Sequence, residues 1–270
     1  MANKPFERKS IRRCIKNNVE GSPKAVAIIG MGPSSDAFLK YMQKHDVCHD
    51  FPDEIWAINY AADWVKADRV FFLDGIQKNM SDNEWAKWYT DRNPDVPIYG
   101  PRWERQYETI VRYPIEWVHA MTGETWFGNS VAYAMAFACA LSRPCGGRLE
   151  RVDMWGCDFD YKKRVDEILK GGSEDEKKDK YLLEQDAREF VYDIETGHAT
   201  CAYWAGLFRV FGIVSRVSTD STFLSMKDRR FYGFTDEEQP DIEAGKVSIT
   251  KGSGISTKES TAVQQQKGEE

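Results

Sequence analysis

Apolar residues fall in short runs separated by polar, glycine-bearing turns, the arrangement of alternating strands and helices. Ala25-Val-Ala-Ile-Ile29 is unbroken, as a strand buried on both faces requires. It runs into Gly30-Met-Gly-Pro-Ser-Ser-Asp36 and then Ala37-Phe-Leu-Lys-Tyr-Met42. Glycine permits a tight turn, Pro33 suits a first helical turn, and Ser34 or Ser35 is placed to cap. Further strands are predicted over 54–59, 69–74, 151–156 and 213–217, with a weaker one over 97–99. Ser130 to Leu141 is small and apolar almost throughout, which predicts a helix buried against a sheet, with Gly128 and Asn129 as its turn and cap. Ala199 to Phe211 predicts an apolar helix opening just after His198. Residues 162–180, charged and holding Gly171-Gly172, read as a surface loop or lid. Strands and helices alternating at these lengths predict an α/β domain with a mainly parallel sheet and helices on both faces.

Composition supports this and divides the chain. Of 270 residues, 41% are hydrophobic and 13% aromatic, which excludes a wholly disordered chain. The net charge of −6 argues against a generally basic nucleic-acid binder. That total hides an asymmetry: residues 1–24 carry +5, 25–234 carry −7, and 235–270 carry −4. The chain therefore reads as a basic arm (1–24), one folded block (25–234) and an acidic tail (235–270) expected to be disordered. No run of 18 apolar residues is present, so no membrane span is expected. Met1 to Ser10 is charged and lacks an apolar core, so no secretory signal is expected and the predicted location is the cytoplasm. The six cysteines form no CxxC, and the four histidines are not spaced to complete a zinc site, so no metal is assigned. Cys157 and Cys201 read as buried thiols or as nucleophiles, with no motif around either. Trp85, Trp88, Trp103, Trp117 and Trp126 read as core and lid packing rather than a sugar platform.

In an open parallel sheet, ligands gather at the carboxyl ends of the strands. Here those ends carry Gly30-Met31-Gly32-Pro33-Ser34, Asn59, Asp74 and Cys157-Asp158-Phe159-Asp160-Tyr161, while helix starts add Asn129-Ser130 and His198. Helix N-termini present free N–H groups to phosphate, and an Asn amide supplies both a donor and an acceptor. Asp158 and Asp160 are candidates either to hold a metal beside a phosphate or to orient loops. His198 is a candidate general base, because imidazole titrates near neutral pH. The full phosphate-loop pattern is absent, and Ser35 or Asp36 stands where a dinucleotide fingerprint has its third glycine.

Taken in order and spacing, these motifs resemble the single-domain, Rossmann-like bacterial sialyltransferases (glycosyltransferase family 42) and the related motility accessory factor proteins, including bacteriophage homologues. The resemblance spans about Val26 to Val217. It rests on Ala27-Ile-Ile-Gly-Met-Gly-Pro-Ser34, the strand ending in Asn59, Asn129-Ser130 opening a small-residue helix, Trp155-Gly-Cys-Asp-Phe159, and His198 before a helix. It implies Gly30, Gly32, Pro33, Ser34, Asn59 and Ser130 as nucleotide contacts, His198 as the base, and Tyr161 as a phosphate contact. Met31 stands where the family carries Asn, and Asp160 where it carries Tyr.

The expected activity is transfer of a sugar from a nucleotide-activated donor, a CMP- or other NDP-sugar, to an acceptor hydroxyl, with no further cofactor required. His198 would take the acceptor proton, and the helix ends with Tyr161 would stabilise the departing phosphate. A glycan or a modified DNA base is the candidate acceptor, the basic arm being suited to phosphates, and a homo-oligomer is left open. Two alternatives stand beside it. One is a pterin-type pyrophosphokinase on the same scaffold, with Mg²⁺ held by Asp74, Asp158 and Asp160. The other is a nucleotide-binding module without turnover.

Overall fold

The computed structural model describes residues 22–44, 51–74, 80–102, 107–159, 180–218 and 221–223. Both terminal segments assigned to arm and tail, apart from Ser22 to Lys24, lie outside these residues, as does the 162–179 part of the segment read as a loop or lid. The fold is α/β, built on one seven-stranded, all-parallel sheet. Its strands are β1 (Ala25–Ile29), β2 (Glu54–Ile58), β3 (Arg69–Phe71), β4 (Ile98–Gly100), β5 (Ile110–Arg112), β6 (Arg151–Trp155) and β7 (Val214–Val217), in spatial order β5-β4-β3-β2-β1-β6-β7. The helices are α1 (Ser35–Lys44), α2 (Met80–Arg92), α3 (Ile115–Thr122), α4 (Ser130–Ala140) and α5 (Lys180–Val210).

Alternation along the strands decides which helices cover which face. Val26, Ile28, Trp56, Ile58, Phe71, Tyr99, Val152 and Met154 point into one core, closed by α3, α4 and α5. Ala27, Ile29, Ile55, Ala57, Val70, Phe72 and Ile98 point into the other, closed by α1, α2 and the 3₁₀ turn Asn59–Asp63. Because both faces of β1 and β2 are buried, each reads in sequence as a continuous apolar run. The chain lays β2 to β5 outward on one side of β1, then returns through α4 to place β6 on the other side. This reversal beside β1 is the switch point of the sheet. No helix among the described residues is long and apolar enough to cross a membrane.

The larger core is sealed at the amino ends of β2 and β3 by a charge. Arg69, 9% exposed, holds Glu54 through Nε (2.6 Å) and Nη2 (2.9 Å) and donates from Nη1 to the Tyr99 hydroxyl (3.0 Å). Its guanidinium lies 5.9 Å from the ring centres of both Trp56 and Phe137, and the Trp56 indole donates to the same Glu54 at 2.7 Å. Every strong donor and acceptor in this group has a partner, which is what makes a buried pair tolerable.

Four elements differ from the sequence reading. β5, α2 and α3 carry no clear sequence signal: β5 is three residues long, and α2 has polar residues over most of its length. The helix expected to open after His198 instead begins at Lys180 and runs for 31 residues, so His198 sits inside a helix with no free helix start beside it. Gly197 reads as a break, yet the helix passes through it. A Cβ there would stand 2.5 Å from Asn129 Nδ2, so the residue permits a close crossing over the start of α4.

Arg69→Ala is expected to destabilise the fold by about 3 kcal/mol, since it removes the cation that pairs the Glu54 carboxylate and the donor to the Tyr99 hydroxyl, leaving Glu54 with the Trp56 indole alone among the described residues. Urea unfolding at neutral pH measures it; a loss below about 1 kcal/mol would show that the pair does not hold this end of the core.

Candidate functional site

The loop after β1 is welded to the loop after β6 by backbone and by one carboxylate. Gly30 N donates to Trp155 O and Gly32 N to Gly156 O, both at 2.8 Å, so the sheet pairing continues past the strand ends. A side chain on Gly30 would run into the Gly156 carbonyl, and one on Gly32 would lie 2.6 Å from Asp158 Cβ. Asp158, 4% exposed, accepts from Ser34 N at Oδ2 (2.6 Å), and from the Ser34 hydroxyl (2.9 Å) and Thr222 N (3.2 Å) at Oδ1. Ser34 Oγ in turn accepts from Gly156 N at 2.8 Å. The hydroxyl expected to cap α1 is thus a joint between loops.

This has a direct electrostatic meaning. A carboxylate at the start of α1 occupies the place where a helix would otherwise receive an external anion. The remaining turn amides are also engaged internally, Ser35 N with Gly32 O, Asp36 N with Pro33 O and Ala37 N with Ser34 O. Met31, 58% exposed, and Pro33 form the outer surface of the loop.

Thr222 completes the junction by accepting from Phe159 N at 3.0 Å, which brings Phe223 against Phe159. His198 packs between these rings, stacked on Phe159 at 5.0 Å and 24° and edge-on to Phe223 at 6.0 Å. The half-buried imidazole is therefore held over the face of Phe159, the residue next to the carboxylate that fixes the loop.

The start of α4 lies on the other side of the α5 crossing. Asn129 caps it by accepting from Ala132 N at 2.8 Å, and Cys201 Sγ donates to the same Asn129 oxygen at 3.3 Å. The Ser130 and Val131 amides have no partner within the helix, being its first two. Ser130 Oγ accepts from Leu73 N at 3.4 Å, which ties α4 to the chain leaving β3. Next to Leu73, Asp74 accepts from Asn59 Nδ2 at 2.9 Å. Asn59 has φ +52°, the left-handed region, and is alone among described non-glycine residues in having positive φ.

The structure thus brings His198, Asn129, Ser130, Asn59, Asp74, Asp158 and the Gly30–Ser34 loop to the same carboxyl end of the sheet. Asp160 and Tyr161 lie outside the described residues. Among the described residues, no group of three or more His, Cys, Asp or Glu side chains is placed to hold a metal ion. Sequence reasoning missed Gly197, Thr222 and Phe223 as supports; only the glycine inside Glu195-Thr-Gly-His198 signalled one of them. Trp85 is buried, with its indole donating to Asp63, and Trp117 packs on the larger core, whereas Trp88 and Trp126 are exposed. Trp103 is outside the described residues.

The cysteines beside the site are thiols. Burial pushes Cys157 well above its ordinary value and Cys201 up to about 12, the Asn129 contact opposing the latter only in part. No protein-family model matches the chain, and no curated protein matches it at a significant level.

Asp158→Ala is expected to lower stability by about 3 kcal/mol, because it leaves three buried donors unpaired. Asp158→Asn, nearly isosteric, still turns an amino group toward a donor and is expected to lose most of the same amount. A melting temperature unchanged in both would remove the carboxylate from its structural role.

Cys201 also sets a pH dependence. A thiol whose folded pKa is raised from 9.0 to about 12 contributes stability that is present below pH 9.0 and lost progressively up to about pH 12. The urea midpoint is expected to fall over that window and to fall less steeply in Cys201→Ala. Iodoacetamide at pH 8 is expected to spare Cys139, Cys157 and Cys201 in the native protein and to reach the partly exposed Cys145, read by peptide mass mapping.

Proposed function

We propose that this protein transfers a sugar from a nucleotide-activated donor to an acceptor hydroxyl, with His198 as the general base. One observation carries the reading: an imidazole held between two aromatic rings shares the carboxyl end of a parallel sheet with the capped start of α4 and an Asn–Asp pair. The resemblance to family 42 sialyltransferases and motility accessory factors likewise implies His198 as the base and Asn59 and Ser130 as nucleotide contacts.

Asp158 already fills the start of α1, which favours the start of α4, where the Ser130 and Val131 amides have no partner within the helix, as the place for the donor phosphate. There the amides stabilise the negative charge that grows on the phosphate as the glycosidic bond breaks. His198 takes the proton of the acceptor hydroxyl as it attacks the sugar carbon, and the nucleotide departs with the bonding electrons. The Gly30–Ser34 loop serves as the rigid floor, with Met31 and Pro33 at the mouth.

Incubation with a panel of CMP-, UDP- and GDP-sugars, read by nucleotide release, tests the activity. His198→Ala is expected to reduce kcat by about 10²- to 10⁴-fold while donor affinity stays within about twofold. Release at near wild-type rate would remove His198 as the base. Tight nucleotide binding without release from any donor would favour a sequestering module instead.

A further inference from the structure

The Asn59–Asp74 pair fixes the polarity of a recognition point. A carboxylate has no proton to give, so the Asn59 group 2.9 Å from Asp74 Oδ2 must be the amide nitrogen. That leaves Asn59 Oδ1 on the other side, buried and without a hydrogen-bond partner among the described residues. Buried acceptors are nearly always satisfied, and one left open in a native structure calls for a partner from outside. The backbone at Asn59 is in the left-handed region (φ +52°), which asparagine tolerates better than other side chains. The residue stands just past the end of β2, where the 3₁₀ turn Asn59–Asp63 begins. Asp74 is tied in place through its neighbour Leu73, whose amide donates to Ser130.

We infer that Asp74 is a positioning residue that locks the Asn59 amide with its oxygen toward the ligand, so that this point accepts a hydrogen bond from a hydroxyl or amino donor of a nucleoside and rejects groups that only accept. The inference rests on the nucleotide-sugar reading and sharpens it. A phosphate, ionised and acceptor-only, is excluded from this point twice, by the lone pairs of Oδ1 and by the charge of Asp74. The nucleoside therefore lies over β2 and β3, and the phosphate over the start of α4, where Ser130 joins the two. A donor here has two sources on a nucleotide, the ribose hydroxyls and an exocyclic amine of the base.

Titration calorimetry on the full-length protein tests this with CMP, UMP, GMP and AMP, and with the 2′,3′-dideoxy form of each that binds. If the donor is ribose, the dideoxy form is expected to bind about tenfold more weakly than its parent. If it is a base amine, UMP is expected to be the weaker by the same factor against CMP. Asp74→Asn lets the Asn59 amide turn over, because the new side chain pairs with it either way. It is expected to bring the discrimination down to about twofold by strengthening the disfavoured ligand, a gain that mere loss of structure does not produce. Asn59→Gly suits the left-handed backbone, so it folds, and it is expected to abolish the discrimination. Binding with equal discrimination in wild type and Asp74→Asn, or with none in wild type, overturns the inference and leaves the nucleotide reading standing. No binding of any nucleotide overturns both.

Discussion

A single carboxylate organises the functional end of this molecule. Asp158 reaches across from the end of β6, accepts from the amide and the hydroxyl of Ser34, and receives Thr222 from the segment after β7. Two segments, each far from Asp158 in sequence, converge on its two oxygens. Removing charge from water is expensive, and the return comes only when every lone pair finds a good donor. Asp158 meets that condition because the donors are backbone amides and a hydroxyl fixed by the same loops that it joins. Its position at the start of α1 adds the favourable field of the helix. That position is thus filled from within the chain.

The larger core depends on a related device at the opposite end of the strands. Arg69, Glu54, Tyr99 and Trp56 close it with a satisfied polar group set against aromatic faces. The two ends of the sheet are thus each closed by a buried charge whose partners come from several elements.

How much of this is readable from sequence depends on whether the determinants are local. β1, β2 and β6 are legible because burial on both faces writes an apolar run, and α4 because it is small and buried almost throughout. β5 escapes as a three-residue edge strand, and α2 because few of its residues are apolar. The first half of α5 mixes charged and apolar residues, and Gly197 looks like punctuation; the contact with Asn129 explains why a helix keeps it. The loop after β1 is recognisable from its glycines, but its true partner lies 124 residues away, a separation no periodicity spans. The polarity of Asn59 is likewise invisible until Asp74 is placed beside it.

The contact between Gly30 and Gly156 has a consequence for how such a protein diversifies. Two backbones that touch leave room for no side chain on either residue, and neither position can compensate for a change at the other. This junction is therefore closed to substitution. Met31 and Asp74 beside it are exposed, so a new side chain there meets solvent instead of main chain. Descendants of this chain can vary at those exposed positions, and the paired glycines are the part by which distant descendants would still be known as kin.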